Sequence, residues 1–255
     1  MWIDIHAHLF DLSPQELKNC IGEAQRSGIC RVINNSVSLS TAETVIRQCH
    51  ESQPLLKGAV GISPFDVKNQ PAHWLSQLKK LAEDKHVIAV GEIGLDTSNP
   101  VYPPYDEQLP FFLQQLELAA ELDLPALVHS RGAESQVAKI CRETGAKKVI
   151  FHCFTGDRAA LDYILESGYH ISISGIVTYK NSHLSGIVPS IPTDRLFIET
   201  DTPYLSPVPK RGKPNTPANL MYTGNHISKL LNTEPDLLEQ TIIDNYKKMF
   251  NEDPG

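Results

Sequence analysis

The sequence predicts an α/β protein, a single-domain (β/α)8 TIM barrel spanning residues 1–255. Three observations carry that prediction. Apolar runs rich in Ile and Val recur eight times along the chain. Each run is followed by a segment of helical periodicity, the alternation that winds a parallel sheet. The length of 255 residues suits one closed barrel with a well-buried core. An open doubly wound sheet is the alternative, but no GxGxxG or Walker-type loop supports it.

Strands are expected near residues 2–6, 30–35, 56–62, 86–92, 124–129, 148–153, 169–174 and 195–200. The helices between them carry their own signals. Ser13-Pro14-Gln15-Glu16 supplies an N-cap, a proline in the first turn and a capping-box glutamate, and Gly28 offers the left-handed residue that closes the helix. From Asp106 to Asp123, Leu109, Phe112, Leu113, Leu116, Ala119 and Ala120 recur at helical spacing, a stripe expected to pack on the outside of the sheet. Thr233-Glu234-Pro235-Asp236 starts a last helix reaching Phe250, with Leu237, Leu238, Ile242 and Met249 as its apolar face. The proline-rich stretches 99–104 and 202–217 each follow a strand end, so they read as loops rather than domain boundaries.

Composition narrows the function classes. Lys and Arg total 23 against 30 Asp and Glu, a net charge of −7 that argues against a broad basic surface coating nucleic acid. It leaves room for an enzyme that meets one phosphate through bound cations. No apolar run approaches the roughly 18–20 residues of a membrane span, and the start MWIDIHAH lacks the pattern of a secretory signal, so no membrane partner and a cytoplasmic location are expected. The five cysteines form an odd set without a CxxC pair, the usage of reduced thiols.

In a barrel the site is built at the C-terminal ends of the strands, and there the ionisable residues of this chain collect. The first run ends in Asp4-Ile5-His6-Ala7-His8, where residues two apart project to the same side. The fourth ends in Gly91-Glu92-Ile93-Gly94, the fifth in His129-Ser130-Arg131, the sixth in His152-Cys153 and the eighth in Glu199-Thr200-Asp201. A charged group at the end of an apolar run is costly unless paired or coordinated. A lone member of the set reads best as a hydrogen-bonded core residue. Four histidines and two carboxylates converging on one barrel end are instead the ligand set of two divalent cations sharing a carboxylate. The expected ligands are His6, His8, Glu92, His129, His152 and Asp201, and Zn2+, Mg2+ or Mn2+ would suit them.

The motifs DIHAHL at 4–9, GEIGLD at 91–96, LVHSR at 127–131, FHCFTG at 151–156 and ETDTPYL at 199–205, with weaker echoes in PNTP at 214–217 and NYKKMF near the end, give the chain a resemblance to the TatD-type metal-dependent hydrolases of the amidohydrolase-like superfamily. The resemblance covers nearly the whole chain. It implies a (β/α)8 barrel, a cytoplasmic location and divalent-metal hydrolysis of phosphodiesters, typically in DNA. It further implies that His6 and His8 bind one ion with Asp201, that His129 and His152 bind the other, and that Glu92 bridges them. Two departures bear on substrate. The family often carries histidines after the third strand, where this chain reads Gly61-Ile62-Ser63-Pro64-Phe65-Asp66, and an aromatic residue after GEIGLD, where it has Thr97.

The expected activity is therefore phosphodiester hydrolysis, foremost as a deoxyribonuclease on DNA. Glu92 and Asp201 are the expected catalytic residues, with Asp201 orienting or deprotonating the attacking water and Glu199 its rival for that work. Arg131 and Lys180 are candidates for substrate phosphate, against a plain solvated role. A metal-dependent hydrolase of an amide, lactone or aminoacyl ester is the second reading, because a fold does not fix a substrate. A noncatalytic metal-binding module is the third, though a purely structural site would be closed by four side chains.

Overall fold

The computed structural model describes residues 1–68 and 70–255. Eight strands alternate with helices: β1 (Trp2–Ala7), α1 (Pro14–Arg26), β2 (Ile29–Asn35), α2 (Leu39–Glu51), β3 (Leu56–Val60), α3 (Trp74–Ala82), β4 (Val87–Gly94), α4 (Tyr105–Glu121), β5 (Ala126–His129), α5 (Glu134–Glu143), β6 (Val149–Phe151), α6 (Arg158–Glu166), β7 (His170–Ile173), α7 (Leu184–Ile187), β8 (Leu196–Ile198), α8 (Leu220–Leu231) and α9 (Pro235–Phe250). The strands lie side by side in chain order and pair in parallel from β1 to β8. This is the expected (β/α)8 barrel. Ile3, Ile5, Ile33, Val90, Leu127, Ile150, Ile171 and Phe197 have no measurable exposure. Strands covered on both faces need such near-continuous apolar runs.

The seam between β8 and β1 is closed differently from the other joints. One parallel bridge joins Ala7 to Thr202, beyond the end of β8, and the His8 amide donates to the Thr202 carbonyl at 2.7 Å. The Asp201 amide likewise donates to the His6 carbonyl at 2.9 Å. Deeper in the seam a side chain stands in for the ladder: buried Asp4 accepts from the Thr200 amide at 2.9 Å and from the Thr200 hydroxyl at 2.5 Å. Burial pushes the Asp4 carboxyl up to about 8 in spite of those bonds.

Local signals account for most helix ends. Ser13 and Glu16 cap α1 reciprocally, and Gly28 stands just beyond it at φ +79°. Pro235 opens α9, which buries Leu238, Ile242 and Met249. Leu237 departs from the expected face and is 62% exposed. On α4, Phe112, Leu116 and Ala119 are buried as expected, whereas Leu113 and Ala120 are exposed. The buried face turns instead toward two glutamines. Gln115 accepts from the Ile62 amide and donates to the Ile62 carbonyl, and Gln108 does the same for Asp96, so α4 holds the loops after β3 and β4 by their backbones. Spacing alone gives such buried amides no weight, because their place depends on loops far away in sequence.

Candidate metal centre

Each of the six expected ligands arrives at the barrel end through its strand. His6 lies in β1 and His8 just beyond it; Glu92 lies in β4, His129 ends β5 and His152 follows β6. Asp201 follows β8 at φ +56°, in a turn rather than at the start of a helix, so capping a helix is not its task. Two glycines allow the close packing around Glu92. A Cβ on Gly91 would lie 2.7 Å from the Leu127 Cβ, and one on Gly94, whose φ is +141°, would fall 1.9 Å from the His129 carbonyl oxygen. The β4 ladder also shifts register between Val90 and Ile93, which re-aims the carboxylate between them.

Glu92 straddles two pairs of imidazoles. Its Oε1 is 2.8 Å from His129 Nδ1 and 3.2 Å from His152 Nε2. Its Oε2 is 3.4 Å from His8 Nε2 and 3.6 Å from His6 Nε2. Within each pair the ring nitrogens nearly touch, at 3.1 Å for His6 and His8 and 3.2 Å for His129 and His152. Asp201 Oδ1 faces the first pair at 3.5 Å from His8 and 3.9 Å from His6. The two pairs are continuous, since the His6 and His152 rings stack at 3.9 Å.

The outer nitrogens decide the chemistry of the inner ones. His8 Nδ1 lies 3.0 Å from the Asn35 carbonyl, and His129 Nε2 lies 2.8 Å from Asp96 Oδ2, whose partner oxygen is fixed by Ser98. His152 Nδ1 lies 3.4 Å from the wholly buried Glu199. A carbonyl and a carboxylate can only accept, so His8 and His129 carry their N–H outward and turn a lone pair inward. His8 Nε2, His129 Nδ1 and the oxygens of Glu92 and Asp201 are thus acceptors crowded on one another, with His152 Nε2 beside them. Only cations between them relieve the crowding, and the mixed imidazole and carboxylate donors fit divalent metal ions. Ligand-capable atoms group as His6, His8 and Glu92; as Glu92, His129 and His152; and as His6, His152 and Asp201.

Without a metal, protons answer the same demand. Burial works against charge on His8, yet its bonds to Asp201 and Glu92 raise it to about 10. Burial opposes charge on His152 too, but Glu92 and Glu199 hold it well above the ordinary imidazole range. Glu92, against its own burial, is held well below the carboxylate range by His152 and His129.

The centre opens into a cavity of about 580 Å3. Asp11, Asp66, Glu92, Glu134 and Asp201 line it, and among the described residues Arg131 is the one lysine or arginine that does so. Phe10, Phe65, Tyr102 and Tyr204 form its apolar rim. Phe65 is 52% exposed and meets Tyr102 edge-on at 5.6 Å; Tyr204 is 60% exposed and stands 6.4 Å from His8.

The family model described as TatD related DNase matches residues 3–251. The chain belongs to the TatD-related DNase family. Within that family, the uncharacterized metal-dependent hydrolase YabD of Bacillus subtilis is 32% identical over 98% of this chain and 99% of its own length. The 3'-5' ssDNA/RNA exonuclease TatD of Erwinia billingiae is 34% identical over 74% of this chain and 76% of its own. Among solved structures, the TatD homolog YJJV of Escherichia coli superposes with a TM-score of 0.92 at 26% identity, covering 98% of each chain.

Against this TatD-family frame, the six expected ligands come together and Arg131 reaches the cavity mouth. Lys180 does not: it is exposed in the turn after Gly175–Thr178, a 3-10 segment that carries the chain away from the end of β7, and it lies outside the cavity lining. Ser63 and Phe65 both line the cavity, with Ser63 donating to Asp66 at 3.0 Å, while Thr97 turns aside to donate to the Gly132 carbonyl at 2.8 Å. Sequence reasoning missed Asp96 and the Asn35 carbonyl as the groups that orient the imidazoles. The D of GEIGLD was a usable signal for Asp96; a backbone carbonyl leaves none.

Proposed function

We propose that this protein is a divalent-metal-dependent phosphodiester hydrolase acting on DNA, with two ions held by His6, His8, Glu92, His129, His152 and Asp201. The observation that carries the reading is the convergence of inward lone pairs and carboxylate oxygens around Glu92. The name of the Erwinia billingiae relative adds support for a nucleic-acid substrate. The metal is Mg2+, Mn2+ or Zn2+, and the five free cysteines support a reducing, cytoplasmic setting.

When bound, a pair of divalent ions acidifies water and offsets the charge building on phosphate oxygens. The chain's own groups do the rest. Asp201, facing His6 and His8 from the cavity side, orients the attacking water and takes its proton as the new oxygen–phosphorus bond forms. The old bond breaks and its electron pair leaves on the sugar oxygen. Glu92 keeps the two histidine pairs in register by giving one oxygen to each. Arg131 meets a phosphate oxygen at the mouth, and Phe65 and Tyr204 offer flat faces on which bases of a single strand stack. The acidic lining makes binding of a phosphate depend on the cations.

The test is a panel of labelled single-stranded DNA, the same sequence as RNA, a generic phosphodiester and an aminoacyl ester, each with Mg2+, Mn2+ or Zn2+. DNA cleavage that stops on chelation is expected. Turnover of the aminoacyl ester with all phosphodiesters untouched would overturn the reading.

A further inference from the structure

At the opposite end of the barrel stands a second group of metal-ligating side chains. His50 lies in the last turn of α2, Asp84 lies in the connection after α3, and His86 immediately precedes β4. One ring nitrogen from each histidine and one Asp84 oxygen lie within 4.8 Å of one another. His50 Nε2 is 3.0 Å from Asp84 Oδ2, and the two imidazoles meet edge-on with centroids 4.3 Å apart. The other Asp84 oxygen accepts from the His86 amide at 2.9 Å, which holds the carboxylate in place.

An ordinary ion pair explains His50 and Asp84 but leaves His86 unexplained. His86 is 5% exposed, its Nε2 lies 3.1 Å from the Gln53 side-chain nitrogen, and its Nδ1 is buried without a partner among the described residues. With the Gln53 amide as placed, Nε2 accepts and Nδ1 carries a proton that no group receives. Turning that amide over, an exchange of O for N that leaves the shape unchanged, lets Gln53 accept from Nε2–H. Nδ1 then presents a buried lone pair, and the amide behind Nε2 fixes the tautomer as a supporting acceptor does at a metal-bound histidine.

We propose that His50, Asp84 and His86 form a binding site for a Zn2+-class ion, separate from the centre at the barrel mouth. Two imidazoles and one carboxylate are the donors such an ion prefers, and the 44% side-chain exposure of His50 leaves solvent to complete the coordination. Two lysines act on His86: Lys57 is itself paired with Glu252 at 3.3 Å, and the adjacent Lys85 is exposed to solvent. The ion ties the end of α2 to the start of β4. The N-terminal face of a barrel is where residues serve stability rather than chemistry, so this site acts as a clip and takes no part in hydrolysis.

The probe is Zn2+ alone, titrated calorimetrically into the full chain and into His50→Ala and His86→Gln, with anomalous diffraction at the zinc edge. Wild type is expected to bind one more equivalent than His50→Ala and to show an anomalous peak between His50, Asp84 and His86. At Zn2+ a hundredfold above the dissociation constant of this site, the gain in Tm should be about 5–10 °C smaller in His50→Ala than in wild type. His50 is exposed, so this variant keeps the fold even if His86→Gln loses it. Oligonucleotide cleavage should be the same in wild type and His50→Ala, which separates this site from the proposed catalytic one. Equal stoichiometry in the two proteins, or zinc density only at the barrel mouth, would overturn the proposal.

Discussion

Nε2 of His129 lies 2.8 Å from Oδ2 of Asp96, on the side of the ring away from Glu92. That contact makes His129 Nδ1 a donor to a cation. Asp96→Asn keeps the shape but surrenders the charge and the fixed tautomer, and losses of this kind cost about 10–100-fold in metal affinity. The metal concentration for half-maximal cleavage should rise by that factor, with the rate restored at high metal. An unchanged metal requirement would remove Asp96 from the site.

Glu92 gives one oxygen to each histidine pair. Replacing it with Gln removes the charge that offsets two neighbouring cations while changing little volume. At least one ion should be lost by elemental analysis and turnover should collapse, with the circular dichroism spectrum preserved. Full occupancy of both sites and a near-normal rate would contradict the bridging role.

Asp201 and Glu199 stand two residues apart in different surroundings: Asp201 lines the cavity, while Glu199 is wholly buried behind His152. In single-turnover cleavage at saturating metal, Asp201→Asn should be slower by at least about a hundredfold, as loss of general-base assistance predicts. Glu199→Gln should be near normal under those conditions and weaker only at limiting metal. The opposite ranking would transfer the proton work to Glu199.

Phe65 is exposed at the cavity rim against Tyr102. Stacking of one base on an aromatic ring contributes about 1–3 kcal/mol. Phe65→Ser should therefore raise KM for a single-stranded oligonucleotide by about 5–150-fold and leave KM for a small phosphodiester where it was. Parallel changes with both substrates would mean that Phe65 acts on the metal centre and not on the bases.

His170, at the start of β7, is pushed down from 6.5 to about 4 by burial and then by Arg195. The unfolded chain therefore binds a proton between about pH 6.5 and 4 that the folded chain refuses. Its contribution to stability is complete above pH 6.5 and is lost as pH falls toward 4. Between pH 7 and 4.5 the unfolding free energy of wild type should drop by about 2 kcal/mol more than that of His170→Gln, measured in urea. Identical slopes would show that the imidazole protonates freely in the fold.

Where the chain's chemistry is set by its own neighbours, it was legible before the fold was known. The i, i+2 spacing of His6 and His8, the glycines around Glu92 and the lone polar residues ending apolar runs all lead to one barrel end, because a strand carries its side chains to a fixed side. What stayed hidden depends on meetings across the barrel. Asn35 shapes His8 through a carbonyl that every residue has. Lys180 looked close in sequence to β7, but a turn of 3-10 helix takes it elsewhere. Leu113 and Leu237 kept helical spacing yet face water, since the width of a buried stripe is decided by what packs against it.

The seam has a further consequence. Seven joints of the barrel are strand ladders, whereas the eighth is fastened by Asp4 with Thr200 and, above them, by His6 with Asp201. The upper fastening is made of backbone atoms belonging to two of the site's own residues. The barrel is in this sense an open hoop whose clasp carries the jewel. Parting the hoop and pulling Asp201 away from His6 are one motion, so whatever grips these two side chains also rivets the whole cylinder shut.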